Sequence, residues 1–376
     1  MKMNIKRALS VLVTVLLLTS FIVPRVNAEQ IGVSAASAIL IEAEGGRVLY
    51  EKNADVRRGM ASTTKIMTAL VALESGDVDR TVTVPADAVG VEGSSLYLVA
   101  GEKMTLRQLL YALMLRSAND VAAAIAIAVG GSVEGFAEMM NGRAEKMGLE
   151  NTHFENPHGL DGDGHYTTAR ELAIITAEAL KNEDFVRIVS TFSVRLPLDG
   201  VPDRRVVVNH NRLLSDYEGC IGVKTGFTKK CGRCLVTAAE RGGVRLIAVT
   251  LNAPDDWSDH KRMLDHGFAS CKRVRLSFEA TGRVSVVGGI GGSIGYLSDG
   301  EAAVTLPYGT DGLRMAVELQ RFYYAPINEG DILGRLAYYD GDTLVAENPI
   351  VATESVKAKK VGLFRRLLIW LRGLLK

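Results

Sequence analysis

The sequence predicts an α/β (α+β) protein: an antiparallel sheet flanked by helices, then a small all-β C-terminal domain and a terminal amphipathic helix. Three observations predict it. Strand-like segments at residues 37–51 and 220–251 bracket a helix-rich stretch at roughly 62–190, the pattern of one sheet with helices packed against it. After about residue 272 the chain turns Gly-rich and strand-like. Residues 361–376 repeat large apolar side chains at the helical period.

The chain opens on Lys2, Lys6 and Arg7, followed by an uncharged apolar run at 8–23 and the small-residue close Val26-Asn27-Ala28. That is the layout of a secretory signal peptide, residues 1–28, cut after Ala28. A retained signal anchor is the second reading, although the run is short for a spanning helix. Both readings place the rest of the chain outside the cytoplasm. About 350 residues remain, enough for two domains, and an apolar content of 47% supplies a substantial core.

Residues 37–42 and 47–51 read as strands joined by a turn at Glu44-Gly45-Gly46. Within the helix-rich stretch, 105–115 and 121–129 are apolar and rich in helix formers. Thr168-Ala169-Arg170-Glu171 is a capping box, so a helix should cover 169–180. Strands return at 220–225, 234–239 and 244–251. This first domain, 29–272, gives way to a β-rich one at 273–352. There Leu313, Met315, Val317 and Leu319 alternate with Arg314, Ala316 and Glu318, the period of a half-buried strand. Leu336 and Tyr338 before Asp340-Gly341-Asp342 read as another strand and its turn. Residues 353–376 are then a linker and the terminal helix.

On a helical wheel, Leu363, Phe364, Leu367, Leu368, Trp370, Leu371, Leu374 and Leu375 share one face, and Arg365, Arg366, Arg372 and Lys376 the other; only Ile369 is misplaced. A segment this short and cationic does not span a bilayer but lies in its interface. With Lys357, Lys359 and Lys360 upstream, it is expected to hold the protein on a membrane rather than dock on its own domain. Charge divides accordingly. The chain's formal net charge is +1, and residues 1–28 hold four Lys/Arg and no acid, leaving −3 on residues 29–376. Residues 357–376 hold seven more and no acid, which leaves −10 on 29–356. So acidic a body argues against a nucleic-acid partner.

Cysteines stand at 220, 231, 234 and 271. Outside the cytoplasm they allow two disulfides in three pairings, or buried thiols. Cys231-Gly232-Arg233-Cys234 has the spacing of half a zinc site, but no second close pair or His-x-His cluster completes one, and no metal is expected.

Three short motifs carry the chemistry. Ser62-Thr63-Thr64-Lys65 opens a helix, so serine and lysine share a face one turn apart. A serine hydroxyl needs a base within hydrogen-bond reach, and lysine serves if burial or a neighbouring cation lowers its pKa. Ser117-Ala118-Asn119 lies at a break between two apolar helical stretches, offering a hydroxyl to pass a proton and an amide that donates and accepts. Lys224-Thr225-Gly226 ends a strand, the glycine leaving its edge open to a substrate backbone. Each motif alone has a plain structural reading as a cap, a surface lysine or a turn. Their order and their spacings of roughly 50 and 100 residues make coincidence a poor account.

Taken together, these motifs resemble the active-site set of penicillin-binding proteins and serine β-lactamases. The stretches Ala61-Ser62-Thr63-Thr64-Lys65-Ile66-Met67-Thr68-Ala69, Asn156-Pro157-His158-Gly159-Leu160 and His165-Tyr166-Thr167-Thr168-Ala169 are similar to those of the low-molecular-mass, serine-type D-alanyl-D-alanine carboxypeptidases. The resemblance implies a penicillin-binding/β-lactamase-like catalytic domain acting on peptidoglycan stem peptides, with β-lactams as covalent inhibitors and no cofactor. It implies that Ser62 attacks, Lys65 takes its proton and Ser117 passes it to the leaving amine. Asn119 would hold the substrate amide, Lys224 tune the local charge, and Thr225 bind the terminal carboxylate. Gly226 keeps the edge open, and the N–H groups of Ser62 and Phe227 would face the oxyanion. An additional carboxylate-binding arginine occurs in some members. Arg262 is the candidate here, although Asp255-Asp256-Trp257-Ser258-Asp259 beside it is acidic.

Competing readings are limited. Gly291-Gly292-Ser293-Ile294-Gly295 matches the nucleophile elbow of α/β-hydrolases, but no histidine follows His266, so that triad order fails. A class A β-lactamase would carry Glu-x-x-Leu-Asn between Asn119 and Lys224, and none occurs. A D,D-endopeptidase acting on cross-links uses the same chemistry and stays open. A non-catalytic peptidoglycan-binding scaffold is disfavoured by intact Ser62, Lys65 and Lys224.

Overall fold

The computed structural model describes residues 31–359 apart from 199, 200 and 311; the leader and the terminal helix expected at 361–376 lie outside the described residues. The described residues from Val33 belong to one compact unit. It begins with the expected hairpin, β1 (Ser37–Glu42) and β2 (Val48–Lys52). The helix-rich stretch holds α1 (Lys65–Glu74), a small hairpin of β3 (Thr81–Thr83) and β4 (Lys103–Thr105), α2 (Leu106–Tyr111), α3 (Asn119–Gly130), α4 (Val133–Lys146), α5 (Ala169–Ala179) and α6 (Glu183–Ser190). A ribbon of β5 (Ser193–Leu198) and β6 (Val201–Val208) and the short α7 (Leu213–Asp216) lead to β7 (Cys220–Thr228), β8 (Gly232–Arg241) and β9 (Val244–Leu251), and α8 (Asp256–Ser270) closes the domain. These strands form one sheet in the order β2-β1-β9-β8-β7, antiparallel throughout. N- and C-terminal segments thus share it, and β7 is left as an edge.

The core explains why the middle of the chain is so apolar. Helix α1 buries nine of its ten residues and α3 buries Asn119 through Ala126 in an unbroken run. Helices apolar all round belong inside a domain, and the alanines of α3 let its neighbours approach closely. Both buried helices begin at the motifs singled out above, so their first turns are fixed by packing on every side.

Capping is more selective than the sequence suggests. Thr168 Oγ1 does accept from the Glu171 N–H, but the Glu171 carboxylate turns away to the Asn151 N–H and the Thr152 hydroxyl. The reciprocal capping box forms instead at Thr105 and Gln108.

After α8 the chain passes straight into β10 (Cys271–Val287), which pairs along its length with β11 (Ser293–Pro307). Next come β12 (Arg314–Leu319), β13 (Phe322–Tyr324), β14 (Ile332–Asp340) and β15 (Thr343–Ala352). The six-stranded sheet runs β12-β14-β15-β11-β10-β13, with β10 and β13 parallel. Two small cores lie along it, one around Phe278, Leu336 and Ile350, the other around Val286, Ile294, Ile327, Leu333, Ala352 and Val356. Arg273–Glu44 and Arg47–Asp340 ion pairs tie this sheet to the β1–β2 hairpin.

Two expectations need correction here. The alternating strand at 313–319 forms, but Met315 and Val317 stay exposed. Strand β12 is the sheet's outer edge, and only Leu319 reaches the cores. The linker also starts later than residue 353. Val356 bridges Ile327 and is buried in the second core, and Ala358 bridges Gly289. Of the two readings of the cysteines, that of thiols holds: all four are free, and Cys231, Cys234 and Cys271 are buried.

Candidate active site

Ser62 sits in a 3-10 turn, Ala61–Thr64, that runs directly into α1. Ala61 has φ 48, a left-handed conformation that a residue with a Cβ adopts only when its surroundings impose it. Those surroundings are dense. A Cβ on Gly159 would lie 2.0 Å from the Ala61 carbonyl oxygen, and one on Gly226 would lie 3.1 Å from the Ser62 nitrogen. Two glycines thus let the 156–160 loop and β7 close on the nucleophile turn from two sides.

Hydroxyls and one imidazole hold the turn. Thr63 Oγ1 donates to the Met60 carbonyl, Thr64 Oγ1 to the Ala61 carbonyl, and Thr68 Oγ1 to the Pro157 carbonyl. His165 Nδ1 accepts from the Glu155 N–H, which leaves its Nε2–H to donate to Thr64 Oγ1 at 2.8 Å. Burial lowers the His165 pKa to about 4, so this neutral tautomer persists at ordinary pH.

Lys65 is completely buried. Its Nζ lies 3.0 Å from Ser62 Oγ, 2.7 Å from Asn119 Oδ1 and 2.5 Å from the His158 carbonyl oxygen. Asn119 Nδ2 donates to the Glu92 carbonyl, which fixes the amide with its oxygen toward Lys65. Burial first, then the Lys224 charge, hold the Lys65 amine well below the ordinary lysine range, against an opposing pull from Asp120. Burial brings Lys224 down to about 7; its Nζ donates to the Thr225 carbonyl.

Ser117 ends a π-helical turn, Ala112–Arg116, and takes φ 63 before α3 begins. π-turns and left-handed non-glycine residues concentrate at functional sites. The first turn of α3 also organises the opposite wall. The Asp120 carboxylate accepts from Ser95 Oγ and from the Leu96 and Leu98 N–H groups, and the Asn119 N–H donates to the Ser94 carbonyl.

The structure therefore gathers every residue the motifs proposed. Ser62, Ser117, Thr225, Gly226 and Phe227 line one cleft of about 320 Å³, and Lys65, Asn119 and Lys224 are buried in its walls. Larger hollows, of about 430 Å³ beside Arg47 and about 860 Å³ beside Arg335, hold none of these residues. Sequence reasoning missed His210, Arg233 and Trp257, which line the same cleft. It also missed the His158 carbonyl. Arg262 is not in the cleft; it pairs with Asp259, whose carboxylate is bound to Ser34. Arg233 stands there instead, 2.8 Å from Asp256 and over the Trp257 ring. It is placed by β7–β8 pairing, which sets it opposite Phe227.

Residues 24–255 match the D-alanyl-D-alanine carboxypeptidase (peptidase S11) family. The chain belongs to that family. Residues 301–358 match the C-terminal domain of penicillin-binding protein 5. D-alanyl-D-alanine carboxypeptidase DacF of Bacillus subtilis is 33% identical over 371 residues, 94% of this chain and 95% of the relative. DacC of Escherichia coli is 32% identical, over 89% of this chain and 87% of the relative. Penicillin-binding protein 5 from Haemophilus influenzae superposes with a TM-score of 0.72 at 27% identity, covering 87% of this chain and 98% of that one. The resemblance read from the motifs thus holds for the fold and for the carboxypeptidase family.

The remaining candidates fall outside this carboxypeptidase site. Ser293 opens β11 and accepts from Arg283 Nε, with a strand and not a helix after it, so the nucleophile-elbow reading fails structurally too. Cys231 and Cys234 are buried, and burial pushes the Cys234 thiol up to about 12. Among the described residues no group of three His, Cys, Asp or Glu could hold a metal ion.

Proposed function

We propose that this family member removes the terminal D-alanine from peptidoglycan stem pentapeptides through an acyl-enzyme on Ser62, and that β-lactams acylate the same serine. The observation that carries the reading is the set of contacts at Lys65 Nζ. Asn119 Oδ1 and the His158 carbonyl can only accept, so they take both N–H groups of a neutral amine. The lone pair then faces Ser62 Oγ, the one partner with a proton to give.

Ser62 Oγ attacks the carbonyl between the two D-alanines while its proton moves to Lys65 Nζ. The N–H groups of Ser62 and Phe227 stabilise the oxyanion. As the C–N bond breaks, Ser117 passes the proton to the departing amine. Water then cleaves the Ser62 ester, returning the hydroxyl. The test is D-alanine release from a pentapeptide and from a cross-linked peptide dimer. Release from the pentapeptide supports the carboxypeptidase; cleavage of the dimer alone would make the enzyme an endopeptidase.

Arg233 and Thr225 face the terminal carboxylate in this arrangement. Such an ionic contact exists before and during reaction, so Arg233→Ala is expected to raise KM about tenfold with little change in kcat. An unchanged KM on the pentapeptide would remove Arg233 from substrate binding.

The leader and the basic amphipathic tail support an exported enzyme held at the outer face of the cytoplasmic membrane. Because Val356 belongs to the β-domain core, the informative truncation is after Lys359. A chain of residues 29–359 is expected to hydrolyse soluble peptides fully and to lose binding to anionic vesicles at least tenfold relative to residues 29–376. Equal vesicle binding by both would refute the anchor.

A further inference from the structure

We infer that the tip of the β-domain is itself a membrane contact: Val287, Ile290, Phe322 and Tyr324 enter the lipid interface beside the C-terminal tail. The inference rests on the membrane location proposed above and adds a second, separate point of attachment.

The fold puts these residues together and leaves them uncovered. Strand β10 starts at the junction with the catalytic domain, Cys271, and pairs with β11 in register from Cys271↔Pro307 to Ser285↔Ser293. Its turn is therefore at the far end of the hairpin, up to about 50 Å from the junction at strand rise. There β13 runs parallel to β10, with Val287 opposite Tyr324 and Ser285 opposite Phe322. Alternation sends Val286 and Tyr323 into the core and Val287, Phe322 and Tyr324 outward. They are exposed by 47%, 44% and 70%, and Ile290 in the turn by 65%. The Phe322 and Tyr324 rings pack edge to face, with centroids 5.4 Å apart.

The chain leaves the domain at this same tip. Ile290 N–H donates to the Lys357 carbonyl, and Lys359 N–H donates to the Gly288 carbonyl. Leu363, the first residue of the tail's apolar face, is four residues beyond Lys359 and can start no more than about 14 Å away. Arg321, next to Phe322 in the chain, and Lys357 and Lys359, whose backbone bonds the 288–290 turn, are exposed, while Glu354 is held by Arg283; Glu329 and Asp331 are the exposed acids of the neighbouring turn. Exposed aromatic and aliphatic side chains, at the point where a basic amphipathic segment begins, match an anionic lipid surface.

The test uses residues 29–376 and vesicles of equal parts phosphatidylglycerol and phosphatidylcholine. Because the three side chains are exposed, Ile290→Ser with Phe322→Ser and Tyr324→Ser should keep the thermal midpoint and the turnover of a soluble peptide. It should weaken vesicle binding about tenfold, by a similar factor at low and high salt, since the lost contact is apolar. Separately, Tyr324→Trp should add fluorescence that brominated lipid quenches. Binding equal to the parent, or an unquenched new tryptophan, overturns the tip contact while leaving the tail's role to the residue-359 truncation. Stronger binding with a lowered midpoint would also overturn it, showing that the tail docks on this patch. If residues 29–376 bind no vesicles at all, both readings fall.

Discussion

Ser62→Ala will abolish covalent labelling by a fluorescent penicillin and lower D-alanine release by roughly ten-thousand-fold or more. The size of the effect follows from the cleft. Ser62 Oγ is the hydroxyl on which the buried Lys65 amine converges, so no neighbour can replace it in the covalent step. Ser117 shares the cleft but has a left-handed backbone at the end of a π-turn, and in the proposed mechanism it passes a proton and does not attack. The fold should survive, because the missing oxygen faces the cleft while Thr63, Thr64 and Thr68 hold the turn. An unchanged thermal midpoint with no labelled band is the expected pair of measurements. Ser293→Ala is the control: it lies in β11 against Arg283 and should leave labelling and turnover as they were. Persistent labelling of Ser62→Ala would exclude the assignment.

The proposed chemistry is readable in the sequence because it demands particular side chains. A nucleophile, its base and a carboxylate-binding strand end can be supplied by few residue types, and Ser62, Lys65 and Lys224-Thr225-Gly226 announce them by identity and spacing. What went unread depends on backbone atoms or on pairing. Any residue could present the carbonyl that His158 presents to Lys65, so no side chain signals it. Asp120 looks like an ordinary first-turn acid until the 95–98 loop is seen folded onto it. Arg233 was within reach: closing the β7–β8 hairpin so that Thr228 pairs with Gly232 sets Arg233 opposite Phe227, two residues from Thr225. Arg262 is a candidate from the sequence only by its place on a later segment, and it pairs with Asp259. In the β-domain, alternation found β12, yet the burial of Met315 and Val317 depended on sheet order, and β12 is an edge. The late pairing of Val356 with Ile327 and of Ala358 with Gly289 is long-range and leaves no periodic trace.

Lys65→Ala is expected to slow acylation about a thousandfold, the scale of losing a positioned general base. Lys65→Arg should do no better, because a guanidinium keeps its proton and has no lone pair to offer Ser62. The pH dependence carries the stronger test. A lysine at its ordinary pKa of about 10.4 is almost wholly charged at neutrality. Here burial and the Lys224 charge depress the Lys65 pKa, and burial brings Lys224 to about 7. Lowering the pKa enlarges the neutral, proton-accepting fraction at a given pH. The acylation rate should therefore rise as pH increases through the depressed values and level off well below the ordinary lysine range. Because the two amines repel, the observed midpoint belongs to the pair. Stopped-flow acylation from about pH 6 to about pH 10 measures it; a flat profile, or a midpoint at the ordinary lysine value, would count decisively against Lys65 as base. Lys224→Ala then separates the two amines. With its cationic neighbour gone, Lys65 keeps only the burial that lowers its pKa and the Asp120 charge that raises it, so the midpoint should move up. A downward move would show that the titration seen in the wild-type enzyme is not that of Lys65.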